Sequence, residues 1–151
     1  MGRATVIRIF EEITPGLALR VMDALNAADD EGAAVTVWIC SRGGDVAAAL
    51  AMHDAFRRRR GLVAVATGEC QSAALLAFLG ARQRLATPNT IFMNHRISGV
   101  EGECFPEDCR IPAAELAGTY GTGLFGAEEA LRRKLIERID EGQRMAAPDP
   151  A

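Results

Sequence analysis

The run AAVTVWIC at residues 33–40 carries no charge and is rich in β-branched residues, and it narrows what this chain can become more than any other stretch. A continuous apolar strand of this kind is expected in a sheet covered on both faces, which is the situation of parallel sheets flanked by helices. Two further runs, TVIRIF at 5–10 and GLVAVATG at 61–68, have the same strand character. Between them the apolar spacing changes to that of helices. After a Pro15-Gly16 turn, GLALRVMDALNAAD sets Leu17, Val21 and Leu25 along one stripe, with Arg20 and Asp23 off it. VAAALAMHDAF continues as a second helix and SAALLAFLG as a short third, and RLATPNTIFMNH reads as two extended pieces joined by a Pro88-Asn89 turn. The alternation predicts an α/β fold with a largely parallel sheet, right-handed crossovers and flanking helices.

Beyond residue 98 the pattern is looser. GVEGECFPEDCRIP reads as a loop, AAELAGTYGTGLFG as a helix broken by glycines, and AEEALRRKLIERID as a C-terminal helix with paired charges. The final AAPDPA is expected to be a disordered tail at 146–151. A chain of 151 residues without an internal linker is expected to form one domain, here residues 1–145.

Composition excludes several classes of function. A formal net charge of −3 gives no electrostatic reason for a nucleic-acid partner, and RRRR at 57–60 reads as the solvated last turn of a helix, where cations suit the dipole. Cys40, Cys70, Cys104 and Cys109 include no C-x-x-C pair, so neither a metal site nor a disulfide framework is expected, and free thiols suit a reducing compartment. No run of about 18 apolar residues and no secretory leader is found, so no membrane association is expected and a cytoplasmic location is.

Two strand-to-helix junctions carry unusual chemistry. In SRGGD, Gly43 and Gly44 permit a sharp turn and a close backbone approach just before the helix that starts near Asp45. In GECQSAA, Gly68 leaves the strand and Ser72 opens the next helix. A serine there is either a helix cap or a nucleophile. A nucleophile needs donors where negative charge develops, which the Gly44 and Ala73 backbone N–H groups can supply, and a base within reach. Of the two histidines, His53 lies mid-helix and reads as a packed or surface residue. His95 follows the Pro88-Asn89 turn by six extended residues, roughly 20 Å of chain, enough to return it to the end of the sheet that carries Ser72. Cys70, beside an apolar strand, reads as a small buried hydrophobe rather than a rival nucleophile.

The segments SRGGDVAAALAMHDAF, TGECQSAALLAFLGA and RLATPNTIFMNH resemble, in order, the motifs of the Clp protease proteolytic subunit family over about residues 4–99. That family has a Ser-Pro-Gly-Gly turn, a Gly-x-Ala-x-Ser nucleophile segment and a Pro-Asn turn before a strand ending in the catalytic histidine. The resemblance implies the crotonase-like spiral of ββα units, with Ser72 as nucleophile, His95 as general base, and the Gly44 and Ala73 amides as oxyanion hole. It also implies a polypeptide substrate, no cofactor, a homo-oligomeric ring, and an ATP-driven AAA+ unfoldase as partner. Arg42 stands where the family has proline, and Cys70 and Gln71 replace small residues. The family's acidic third member falls on IERIDEGQRM, where Gln143 occupies its position and Asp140, three residues earlier, is the carboxylate that could substitute. The chain is expected to lack both the axial N-terminal segment and the closing strand-and-helix unit of full-length members, which counts against the unfoldase. Three readings follow: a serine peptidase, a non-catalytic scaffold or regulatory homologue, and a crotonase-type acyl-CoA enzyme, against which the Ser72 and His95 contexts argue. A Ser-Lys peptidase is set aside because Lys134, the one lysine, lies in a charged segment.

Overall fold

A computed structural model describes residues 3–94 and 123–142. The element order is β1 (Ala4–Ile9), α1 (Pro15–Glu31), β2 (Ala34–Ser41), α2 (Val46–Arg58), β3 (Val63–Gln71), α3 (Ala73–Phe78), β4 (Gln83–Ala86), β5 (Ile91–Asn94), β6 (Gly123–Gly126), α4 (Ala127–Arg132) and β7 (Arg138–Ile139). One sheet runs β1-β2-β3-β4-β7 with every neighbouring pair parallel. The α/β class expected from the alternating runs is the one found. The loop at 99–112, most of the segment at 113–126 and the tail at 146–151 lie outside the described residues.

Helix α1 begins one residue before the expected turn ends. Thr14 accepts a hydrogen bond from the Leu17 N–H at 3.1 Å and Pro15 takes the first helical position, where its missing N–H costs nothing. Pro15-Gly16 is therefore the helix's first turn rather than a separate one. Leu17, Val21 and Leu25 pack with Val35, Val37 and Ile39 of β2 and with Met52 and Phe56 of α2 in one core. Fully burying each such side chain contributes about 1.5–3 kcal/mol.

β2 departs from the expected strand buried on both faces. Its burial alternates: Val35, Val37, Ile39 and Ser41 face the core, while Thr36, Trp38 and Cys40 are half-buried. β3 does not end at Gly68 but runs on to Gln71 and changes partner on the way, pairing with β4 through Val63–Ala66 and with β5 through Glu69–Gln71. This fork, beginning near Gly68, carries the end of β3 away from β4 and toward β5.

The arginine run is a solvated last turn only in part: Arg58 and Arg60 are exposed, while Arg57 and Arg59 are half-buried. Arg59 donates to the carbonyls of Leu25 and Ala33 and pairs with Asp29, so it ties the end of α1 to the start of β2. Arg57 donates to the Leu79 carbonyl at 3.1 Å, where α3 ends. Of these carbonyls, that of Leu79 lies at a helix end, where backbone acceptors lack intrahelical partners.

The largest correction is at the C-terminal side. The helix expected over 127–140 stops at Arg132 and the chain turns through Lys134 at φ 61. Leu135 and Ile136 enter the core and Arg138–Ile139 add to the edge of β4. Buried Arg84 explains the preference: its Nε donates to Leu135 O at 2.6 Å and its guanidinium to Ala81 O at 2.8 Å, while Glu137 N–H donates to Arg84 O at 2.9 Å. A helix through 135–139 would forfeit the bonds of Leu135 and Glu137 to Arg84 and leave buried polar groups unpaired, which costs more than the helical pairs return. Residues 123–126, expected at the end of a glycine-broken helix, are instead strand β6, antiparallel to β5, with Phe125 stacked on Phe92 at 5.5 Å.

Candidate active site

The two glycine-flanked junctions meet. Gly43 has φ 111 and Gly44 φ 147, a region in which a side chain is strained. A Cβ on Gly43 would stand 2.9 Å from both Gln71 O and Ser72 Cβ, and one on Gly44 would stand 2.3 Å from Ile13 O. Only a residue without a side chain lets the turn sit this close to Ser72 on one side and to the β1–α1 connection on the other. The turn is also held by hydrogen bonds: Ile13 N–H donates to Gly43 O at 2.9 Å, Asp45 N–H to Ile13 O at 2.8 Å, and Gly43 N–H to Ser41 Oγ at 3.2 Å.

Arg42 occupies the position where proline would fix φ. Its guanidinium bonds the Glu69 carboxylate at 3.1 Å, and Glu69 in turn accepts from Gln71 Nε2 at 3.0 Å. A side-chain chain therefore joins the glycine turn to the last residues of β3. The pair is largely solvent-exposed and contributes under about 1 kcal/mol. Glu69 does not stand out in the sequence, because its contact with Arg42 spans 27 positions and leaves no local signature.

Ser72 is not a capping residue. It adopts φ 55, ψ −124 and makes no capping hydrogen bond to α3. Its N–H donates to Met93 O of β5 at 2.8 Å and its carbonyl accepts from Leu76 N–H at 3.2 Å. The backbone is thus anchored on both sides while the hydroxyl is held out of capping geometry. A non-glycine residue in such a conformation costs about 1–3 kcal/mol and persists only where the surroundings impose it. A strained serine at a sharp strand-to-helix turn is the arrangement that presents a nucleophilic hydroxyl at the end of a sheet. Ala73, the next residue, opens α3, whose first N–H groups have no intrahelical acceptor.

The other expected site residues are placed as follows. His95 lies two residues past Met93, whose carbonyl accepts the Ser72 N–H, and is outside the described residues, as is Gln143. Asp140 follows β7, its N–H donating to Ala86 O at 2.7 Å and its carboxylate accepting from Gly142 N–H at 3.0 Å. His53 is buried on α2, its Nδ1 3.3 Å from the Asp54 carboxylate. Cys70 is fully buried, which pushes its thiol well above the ordinary range, with Cys40 adding to the effect. A thiol kept neutral in this way is a poor nucleophile. Cys104 and Cys109 are outside the described residues. Among the described residues no helix is long and apolar enough to cross a membrane.

A groove of about 580 Å³ opens beside the turn, lined by Phe10, Glu12, Arg42, Gly43, Gly44 and Glu69 among others. It lies at the carboxyl ends of β1 and β2, the region in which parallel α/β sheets bind ligands.

Comparison with known proteins bears on the family and the fold. Residues 1–121 match the model of the Clp protease family. Among solved structures, ClpP1 from Listeria monocytogenes aligns with a TM-score of 0.72 at 24% identity, over 90% of this chain and 91% of that one. A point mutant of ClpP1 from Listeria monocytogenes aligns equally well at 25% identity, with the same shares covered. No curated protein matches the chain.

Proposed function

The chain belongs to the Clp protease family, and from that premise we propose that it is a serine peptidase that cleaves polypeptides through an acyl-enzyme inside a homo-oligomeric ring. Its fold is that of a Clp-type protease scaffold, and the family is one of serine peptidases. Ser72 Oγ attacks the scissile carbonyl carbon while its proton passes to the His95 ring. The negative charge that develops on the carbonyl oxygen is met by the Gly44 and Ala73 N–H groups. His95 then protonates the leaving amine, the C–N bond breaks, and an ester to Ser72 remains. Water attacks that ester with His95 again taking the proton, releasing the acid product and the free hydroxyl. Asp140 is the carboxylate proposed to stabilise the imidazolium.

The observation that carries this reading is the backbone of Ser72: positive φ, no capping bond, and Gly43 packed against it. A fluorophosphonate probe tests it. Labelling of wild-type protein that is lost in Ser72→Ala and reduced in His95→Ala supports the enzyme, and absence of labelling in folded protein defeats it. The scaffold reading is favoured by one feature, the amide Gln143 where the family resemblance implies an acid, and unlabelled protein that still assembles into a ring would select it. Light scattering on the purified chain measures that assembly.

A further inference from the structure

Three carboxylates line the groove beside the glycine turn, and they are not equivalent. Glu11 is paired with Arg20 at 3.0 Å and Glu69 with Arg42 at 3.1 Å. Glu12 has no ion pair or hydrogen bond to any described residue, and its stem lies along Gly44, with Cγ 3.0 Å from where a Cβ on that glycine would stand. Phe10, on the same groove, is 59% exposed although it is a large aromatic ring. The groove therefore offers an apolar surface and, among the described residues, one carboxylate without a partner, on the β1–α1 side of the turn whose other side abuts Ser72. A side chain that suits both features is long, apolar along its stem and cationic at its tip, because such a chain lays its methylenes on an aromatic face while its head group meets a carboxylate.

We infer that Glu12 is a specificity-determining residue, and that this groove receives a lysine or arginine side chain of the polypeptide flanking the bond to be cleaved. The inference rests on the peptidase reading, since it names the substrate class of the same site. Glu12 acts on binding and positioning and does not touch the reacting atoms. The other two carboxylates contribute little selectivity, because their charge is already matched by arginines of this chain.

The test uses the full chain and two internally quenched peptides that are identical except for lysine or norleucine on either side of the scissile bond. Norleucine keeps the stem and removes the charge. Wild type is expected to cleave the lysine peptide with a kcat/KM about fivefold higher, the size of effect an exposed ion pair can give. Raising the salt concentration should shrink the ratio. Glu12→Gln should bring the ratio close to one, and Glu12→Lys should invert it in favour of a glutamate peptide. Equal rates for lysine and norleucine in wild type that labels with the fluorophosphonate probe overturn the inference and leave the peptidase reading standing. If neither peptide is cleaved and Ser72 stays unlabelled, the peptidase reading fails. Fluorescence anisotropy of the same peptides with Ser72→Ala then decides the groove separately: tighter binding of the lysine peptide upholds the role of Glu12, and equal binding overturns it.

Discussion

Two helices start at the same end of the sheet, and their first residues do opposite things. Asp45 precedes α2 with extended backbone angles, φ −74 and ψ 123, and its carboxylate accepts the Ala48 N–H at 2.7 Å. Ser72 precedes α3 at φ 55 and makes no such bond. Both are good capping residue types, so the difference is not one of side-chain chemistry. At α2 the polar side chain is consumed in stabilising its own helix. At α3 the backbone is clamped between Met93 and Leu76 and pressed by Gly43, and the hydroxyl is left available. Strain of this kind is expected where a side chain is presented for chemistry rather than for stability.

The sharpest break in this contrast would come from Ser72→Ala. Peptidase turnover should fall by roughly 10⁶, to background, with the thermal midpoint almost unchanged. A marked loss of stability would mean that Ser72 is a cap after all. Gly44→Ala ranks next. Its Cβ would meet Ile13 O at 2.3 Å at a φ of 147, so urea unfolding should register a loss of about 3 kcal/mol or more.

The two caps themselves can then be weighed against each other. Asp45→Ala should cost about 1 kcal/mol. Ser72→Gly should instead stabilise by about 1 kcal/mol, because glycine accepts the positive φ and only part of that gain is offset by its greater chain entropy. If both substitutions destabilise equally, the contrast is lost.

The effect expected to be smallest at neutral pH concerns the neighbour of Ser72 on β3. The Cys70 thiol is pushed up by burial, so the unfolded chain loses its proton first as pH rises. The stability this group contributes is complete below its unfolded pKa of about 8.5 and declines above it, by at most about 1.4 kcal/mol per pH unit. Cys70→Ala should remove that part of the alkaline decline in unfolding free energy. In native protein Cys70 should resist iodoacetamide while the half-buried Cys40 reacts.

Much of this arrangement was legible in the chain itself. The strands β1, β2 and β3, the helices α1 and α2, and the Gly43-Gly44 turn follow from runs of a few residues whose periodicity reports their own burial. So does the presence of a serine at the head of α3. The errors have a common origin. The helix expected over 127–140 has good local pairing, yet residues 135–139 are pulled into the core and onto β4 by Arg84, some fifty positions earlier. Within the RRRR run, Arg58 and Arg60 are exposed as expected of a solvated helix end, while Arg57 and Arg59 are drawn in by the carbonyls of Leu25, Ala33 and Leu79.

The sequence alone determined the α/β alternation, the glycine pair and the family, because each is written in contiguous residues whose spacing has one physical reading. Tertiary structure alone decided that Ser72 is strained rather than capping, that β3 forks from β4 to β5, and that Glu12 is the groove carboxylate without a partner among the described residues. Those outcomes depend on which groups from distant segments come within hydrogen-bonding or van der Waals range. Such distances are set by packing the whole sheet, and no short stretch of the chain encodes them.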